Sequence, residues 1–355
     1  MNRNKYVGID LHKATISVAV RDAAGKLTME STIETKAATI LEFVHGIGGS
    51  LSVTFEEGTG AGWLYDLLKP HVGEVIVCDP RKNALLRGGN KNDKVDARKL
   101  SELLRGGLVS PVYHGEQGCR TLKEFARSYL TITRDLTRVM NRIKGVYRSW
   151  AIPCTGRTVY ALSQRKEWLE KLPEPGIRRR AELLYTQLDH LKPLRQEARK
   201  ELIVESRKHP ACALLRQIPW LGPIRVALVI ALMQTPHRFR TKRQLWAYSG
   251  LALETRVSGE YRYANGELQR SGKRPTPRGL NDNHNHDLKN VFKGAAIRAS
   301  TSAGPFQEFY TGLLSKSMRP SMARLTLARK IAAITLAIWK KGARFDGTRL
   351  ISQKA

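Results

Sequence analysis

The segment Asn90-Lys91-Asn92-Asp93-Lys94-Val95-Asp96-Ala97-Arg98-Lys99-Leu100 places two acidic residues three positions apart at the start of a predicted helix. Residues three apart lie on the same face of a helix, so the carboxylates of Asp93 and Asp96 leave its first turn side by side. Like charges this close repel each other, and a divalent cation relieves the repulsion better than the positive helix terminus does. The pair is therefore a candidate metal site, although Asp is also common at helix starts as a cap.

Two further acids end predicted strands. Asp10 closes the apolar run Tyr6-Val7-Gly8-Ile9, and Glu57 follows the run Leu51-Ser52-Val53-Thr54-Phe55. A carboxylate at the end of a buried strand is costly without a partner. Together with the helical pair, these residues offer four carboxylates, which are ligands suited to Mg²⁺ or Mn²⁺. Because Glu56 adjoins Glu57, the ligand could be either of the two.

The composition indicates a polyanionic partner. The chain has 355 residues, with 61 Lys and Arg against 31 Asp and Glu, a formal net charge of +30. The first 100 residues contain 14 basic and 12 acidic residues, so the remaining chain contains 47 and 19, a net charge of +28. Nucleic acid is the expected partner. No apolar stretch approaches the length of a membrane span, and the four separated cysteines indicate reduced thiols of a cytoplasmic protein rather than a zinc finger.

Residues 5–79 predict alternating strands and helices. We expect strands near 5–10, 14–20, 26–33, 51–56 and 74–79, and helices near 37–46 and 61–69. Three antiparallel strands followed by strand-helix-strand units is the order of a ribonuclease-H-like sheet, where acids at central strand ends meet acids from a late helix.

The middle of the chain predicts two long helices. From Leu122 to Trp150, apolar residues recur at alternating spacings of three and four, the pattern of a coiled-coil seam. A second helix is predicted near 177–208, packed antiparallel on the first or paired with another subunit. Arginines on the first helix are either a solvated face or contacts to a nucleic-acid backbone, and we favour the contacts. They are Arg120, Arg127, Arg134, Arg138, Arg142 and Arg148.

The C-terminal part is predicted to be mostly helical. Residues 214–232 resemble a helix-hairpin-helix with Gly222 in its turn, whose free N–H groups could bind a phosphate, although Trp220 stands where that motif has its first glycine. Residues 266–290 predict a basic loop that phosphate would order. Its candidate nucleic-acid contacts are Arg270, Lys273, Arg274 and Arg278.

Several of these motifs occur in an order that resembles the DEDD insertion-sequence transposases, the family of the Piv DNA invertases and the bridge-RNA-guided recombinases. The motifs are Gly8-Ile9-Asp10, Glu57-Gly58-Thr59-Gly60, Asn92-Asp93-Lys94-Val95-Asp96-Ala97-Arg98, the Ile218–Gly222 hairpin, Ser249-Gly250-Leu251 and Ser258-Gly259.

This resemblance implies an α/β plus all-α chain. Its parts would be a RuvC-like catalytic domain at 1–110, a coiled-coil dimerisation region at 111–210, and a helical transposase domain at 211–355. Carried onto matching positions, Asp10, Glu57, Asp93 and Asp96 would bind Mg²⁺ or Mn²⁺, and Ser258 would be the nucleophile that attacks a DNA phosphate.

The resemblance also implies the partners. They would be double-stranded DNA, a structured guide RNA, and further copies of the chain in dimers and tetramers, in the bacterial cytoplasm at the nucleoid. Two other functions stay open. One is a junction nuclease that uses the same acids with water as its nucleophile, and the other is a non-catalytic nucleic-acid-binding scaffold.

Overall fold

The computed structural model describes residues 4–82, 92–114, 119–256, 261–264, 267–270 and 276–351. The chain divides into two compact units, residues 1–115 and residues 116–355. The finer division into three domains stays a prediction.

The first unit is built on a five-stranded mixed sheet. Its strands are β1 (Asn4–Leu11), β2 (Thr15–Arg21), β3 (Leu27–Glu34), β4 (Ser50–Glu56) and β5 (Glu74–Cys78), in the order β3-β2-β1-β4-β5. The first three strands pair antiparallel, whereas β4 runs parallel to both β1 and β5. The predicted mixed α/β fold of this part of the chain is confirmed.

Three helices cover the two faces of this sheet. They are α1 (Ala37–Ile47), α2 (Ala61–Leu68) and α3 (Asp93–Arg105). Apolar residues of α1 and α2 share one core with Val7 and Ile9 of β1. Gly8 lies between these two residues and contacts α3, so α3 covers the opposite face, because successive residues of a strand alternate between faces.

Two long helices dominate the start of the second unit. They are α4 (Arg120–Arg148) and α6 (Pro175–Ser206), and α6 continues through Pro193. The hydroxyls of Tyr147 and Tyr185 lie 3.0 Å apart, and Arg195 donates to the Tyr129 hydroxyl. These contacts make the pair antiparallel within one chain, one of the two packings that the sequence left open. A coiled coil in the strict sense stays a prediction.

Pro153, Pro173 and Pro175 predict a loop between these two helices, but the segment is more ordered than that. It contains short 3₁₀ turns at Thr158–Tyr160 and Leu162–Gln164 and the helix α5 (Arg165–Glu170). Val159, Tyr160 and Trp168 are buried in one apolar cluster with residues of α4 and α6, and this burial fixes the segment.

The rest of the second unit is mainly helical. Its helices are α7 (Ala211–Leu215), α8 (Pro223–Met233), α9 (Lys242–Tyr248), α10 (His286–Thr301), α11 (Pro305–Leu314), α12 (Pro320–Lys341) and α13 (Thr348–Ile351). Most of them bury apolar residues in a single large core.

Four short strands lie within or just before residues 266–290, the segment predicted to be a basic loop. β6 (Leu253–Arg256) pairs with β9 (Thr276–Leu280), and β7 (Tyr261–Ala264) pairs with β8 (Glu267–Arg270), both antiparallel. Proline is uncommon inside a paired strand, but Pro277 pairs with Thr255 next to a register shift, an irregularity of the kind that accommodates proline.

Candidate active site

Asp10 and Asp93 meet at one edge of the first unit's sheet, with His12 between them. Asp10 is next to last in β1, and Asp93 opens α3. His12 Nε2 lies 3.1 Å from Asp10 Oδ2 and 3.4 Å from Asp93 Oδ1. One ligand atom from each of the three side chains lies within 4.8 Å of the others. The three groups are therefore close enough to share one cation.

The position of α3 depends on its local sequence and on β1. Asn92 caps the helix by accepting a hydrogen bond from the Lys94 amide at 3.1 Å. Gly8 allows the helix to lie directly on β1, and Arg98 of α3 forms an ion pair with Glu30 of β3. The cap and these contacts place the first turn of α3, with its two aspartates, beside Asp10.

Asp96 supplies the third carboxylate at this edge. Its Oδ1 is buried and has no hydrogen-bond partner within the described part of the chain. Lys99 Nζ is 3.9 Å away, too far for a hydrogen bond. A buried carboxylate oxygen without a partner is costly, and a bound cation would remove that cost.

The pKa of Asp10 reflects this crowding. Burial of the carboxyl is the main cause that raises its pKa above the usual range, His12 opposes the rise, and the charges of Asp93 and Asp96 add to it. Neighbouring carboxylates, one of them with an unsatisfied buried oxygen, fit a hard divalent cation.

Glu57 lies just past the end of β4, outside the Asp10–His12–Asp93 cluster. The β1–β4 register pairs Ile9 with Phe55, which puts Glu56 level with Asp10, one residue before Glu57. His114 Nε2 lies 2.6 Å from Glu57 Oε2. The structure thus brings three of the four predicted acids together and gives the fourth a histidine partner.

Ser258, the predicted nucleophile, lies outside the described residues, as do Lys273 and Arg274. Arg270 and Arg278 belong to β8 and β9.

All six predicted arginines of α4 are exposed. Arg127 and Arg138 pair with acids one turn earlier on the same helix, at 2.6 and 2.9 Å. Arg134 instead binds Asp287 of α10, so it joins two helices of the second unit. Arg138 and Arg142 also line an open groove of about 470 Å³ between α4 and α6.

Gly222 caps the N-terminus of α8, as the hairpin prediction requires. Trp220 adopts the left-handed backbone conformation, with φ of 69°, where the motif would have glycine. Arg225 donates to the Trp220 carbonyl at 3.0 Å and holds this turn. The turn before α8 therefore adopts its backbone conformation despite the tryptophan, and the helix-hairpin-helix stays a prediction.

Sequence reasoning missed the two histidines of this site. His12 could have been found, because it stands two residues after Asp10 and thus on the same side of the chain if the strand continues. His114 is 57 residues from Glu57, and no spacing rule connects them.

Among the helices of the described residues, none combines the length and apolar character that crossing a membrane requires.

Two family models match the chain. The first, for DEDD transposases of the IS110 group and described as "Transposase", matches residues 7–150. The second, described as "Transposase IS116/IS110/IS902 family", matches residues 212–280. The first match includes all four predicted acids, and the second includes Gly222 and Ser258.

Two transposases are similar in sequence. The transposase for insertion sequence element IS1111A of Coxiella burnetii (strain RSA 493 / Nine Mile phase I) is 22% identical over 269 residues, which cover 72% of this chain and 70% of that protein. The transposase for insertion sequence element IS1533 of Leptospira borgpetersenii is 27% identical over 182 residues, covering 48% of this chain and 51% of that protein. With three of its four predicted acids near one sheet edge and both family models in sequence order, the chain belongs to the DEDD-type IS110 transposases and is a DNA transposase, an enzyme that acts on DNA.

Proposed function

We propose that this transposase cuts and exchanges DNA strands of an insertion sequence in a reaction that depends on Mg²⁺ or Mn²⁺. Asp10, Glu57, Asp93 and Asp96 would hold the cation, and Ser258 would be the nucleophile. The observation that carries the proposal is the convergence of Asp10 and Asp93 at one sheet edge, with Asp96 near enough for its charge to help raise the pKa of Asp10.

The residues of the site have separate tasks. The carboxylates bind the cation, which when bound neutralises the phosphate and favours ionisation of the attacking hydroxyl. His12 donates to one carboxylate at a time and fixes its orientation. Asn92 and Gly8 contribute through the fold, because they determine where α3 begins and how closely it lies on β1.

The proposed chemical step is a transesterification. Ser258 Oγ forms a bond to the phosphorus of the scissile phosphodiester and loses its proton to solvent. The bond from phosphorus to the leaving deoxyribose oxygen breaks, and that oxygen takes a proton. The number of phosphoester bonds is unchanged, so a second strand's hydroxyl can reverse the step and reseal the DNA without ATP.

The charge distribution supports DNA as the substrate and a structured RNA as its guide. The residues after position 100 have a net charge of +28, which favours phosphate backbones and a strong dependence on salt. We propose that base pairing of a guide RNA selects the DNA, as in bridge-RNA-guided relatives. Sequencing the RNA that copurifies with the protein tests this, and a discrete species derived from the element is expected.

We also propose that the active form is an assembly of two or four chains. In it, a coiled-coil region at 111–210 would join subunits, between the RuvC-like domain at 1–110 and the transposase domain at 211–355. Light scattering of the protein with DNA, expected to give two or four copies, tests this.

A covalent adduct distinguishes this mechanism from that of a junction nuclease. The protein is incubated with Mg²⁺ and labelled DNA of the element ends, then denatured, and label that stays with the protein is measured. Ser258→Ala should lose the adduct, whereas the neighbouring control Ser271→Ala should retain it. Cleavage without any adduct would favour water as the nucleophile, and strand exchange unaffected by Asp10→Ala and Asp93→Ala would favour a scaffold.

A further inference from the structure

We propose that His114 is a positioning residue that orients the Glu57 carboxylate toward the metal centre. This inference rests on the proposed role of Glu57 as a ligand. His114 belongs neither to the sequence motifs nor to the four predicted metal-binding acids.

The hydrogen bond between the two side chains is short, and His114 is the less exposed of the two partners. His114 Nε2 donates to Glu57 Oε2 at 2.6 Å, and the His114 side chain is only 14% exposed whereas that of Glu57 is 43% exposed. Little of the imidazole is open to water, and the carboxylate is a partner for its ring nitrogen. The exposed acid is therefore in contact with a side chain that is largely shielded from solvent.

An aromatic contact fixes the imidazole ring itself. The ring lies against Tyr65 of α2, with centroids 5.0 Å apart and an angle of 32° between the planes. A ring packed in this way cannot turn freely about its side-chain bonds. The direction of its N–H is therefore set before any cation binds.

The backbones of both residues are attached to the same strand. The Glu57 amide donates to the Cys78 carbonyl at 2.9 Å. On the other side, Val112 donates to the Val77 carbonyl at 2.7 Å, and Asp79 donates to the Ser110 carbonyl at 2.9 Å. The end of β5 thus holds the segment that leads to His114 level with Glu57.

Glu57 needs this support more than the other acids do. Asp10 lies within a paired strand and Asp93 within a capped helix, whereas Glu57 follows the last residue of β4. Side chains that orient metal ligands through hydrogen bonds typically change metal affinity by about 10–100-fold when they are removed. We expect an effect of that size at His114.

Two substitutions separate the N–H donor from the ring. His114→Phe keeps a ring against Tyr65 but has no donor, and His114→Gln keeps an N–H donor but has no ring. The affinity of the full-length protein for Mn²⁺ is measured by electron paramagnetic resonance of the free ion. His114→Phe should weaken Mn²⁺ binding about 10–100-fold, and His114→Gln should stay within a few-fold of wild type.

The controls identify which proposal fails. His71→Ala removes an exposed histidine that contacts His45, and it should leave Mn²⁺ affinity unchanged. If Glu57→Ala weakens Mn²⁺ binding and His114→Phe does not, the inference about His114 is wrong while Glu57 remains a ligand. If His114→Gln loses as much affinity as His114→Phe, the ring rather than the donor matters, which also overturns the inference. If Glu57→Ala binds Mn²⁺ like wild type, the proposed role of Glu57 and the inference fall together.

Discussion

Gly8 of β1 lies so close to Ala97 of α3 that a Cβ on the glycine would be 2.2 Å from the Ala97 carbonyl oxygen. The same Cβ would be 2.4 Å from the Ser101 amide nitrogen. Both neighbours are backbone atoms of a helix and cannot move aside as a flexible side chain can. The approach of helix to strand therefore requires glycine, and it determines the distance from Asp10 to the aspartates of α3.

Gly8→Ala should displace α3 and weaken the metal site. The overpacked contact should lower the free energy of unfolding by about 1–3 kcal/mol, and Mn²⁺ affinity should fall because Asp93 and Asp96 move away from Asp10. Denaturant unfolding and Mn²⁺ titration measure the two effects. The matched control is Gly46→Ala in α1, where a Cβ meets nothing within 4 Å and a gain of up to about 1 kcal/mol is expected. Wild-type stability and affinity in Gly8→Ala would contradict the close-contact argument.

The effect of Asp10→Asn on the free energy of unfolding should depend on whether Mn²⁺ is bound. Burial and the charges of Asp93 and Asp96 raise the pKa of Asp10, so a neutral side chain should cost little, or even stabilise the protein, in metal-free buffer. Wild type should gain about 2.7 kcal/mol when free Mn²⁺ is 100 times its dissociation constant, and Asp10→Asn should gain much less. Thermal unfolding with and without Mn²⁺ tests this, with the exposed Glu42→Gln as control. An equal Mn²⁺ gain in wild type and Asp10→Asn would remove Asp10 from the ligand set.

The acids of the site could be predicted because their positions follow from local geometry. The end of β1 and the first turn of α3 are visible in the sequence as an apolar run and an i, i+3 pair, and the strand-helix order brings them to one edge. The contact between His114 and Glu57 could not be predicted, because the two residues are 57 positions apart and come together only where both segments bind the end of β5. Periodicity likewise could not reveal β6 to β9, because each is only four or five residues long and β9 also contains a proline and a glycine. Nor could it reveal the burial of Trp168 that orders the segment between α4 and α6.

Asp189→Asn should destabilise the second unit at neutral pH but not in acid. Arg165 donates two hydrogen bonds to Asp189, at 2.5 and 2.6 Å, and these bonds are the main cause that lowers the pKa of Asp189. A lowered pKa in the folded state means that the ion pair stabilises the protein above the ordinary aspartate pKa near 4, and that this stabilisation is lost as pH falls through the lower, folded-state value.

The expected loss at pH 7 is about 1 kcal/mol or less, because Asp189 is 42% exposed. Urea unfolding of Asp189→Asn and wild type at pH 7 and near pH 3 measures the difference, which should shrink in acid. The exposed pair Arg179–Glu182 provides the control, since Glu182→Gln should change stability very little at either pH. A loss that is independent of pH would mean that the carboxylate charge is not its cause.

Arg142→Ala and Arg134→Ala should separate DNA binding from folding on α4. Arg142 is exposed and lines the groove between α4 and α6, so its loss should weaken DNA binding and reduce the slope of log affinity against log salt by about 0.9, the value for one phosphate contact.

Arg134 joins α4 to Asp287 of α10, so its loss should mainly lower stability, by about 1 kcal/mol or less because Arg134 is 50% exposed. Salt-dependent binding to duplex DNA and denaturant unfolding of both variants test the separation. If Arg134→Ala changes the salt slope as much as Arg142→Ala does at unchanged stability, the Asp287 ion pair gives way to DNA, and both arginines belong to the nucleic-acid surface.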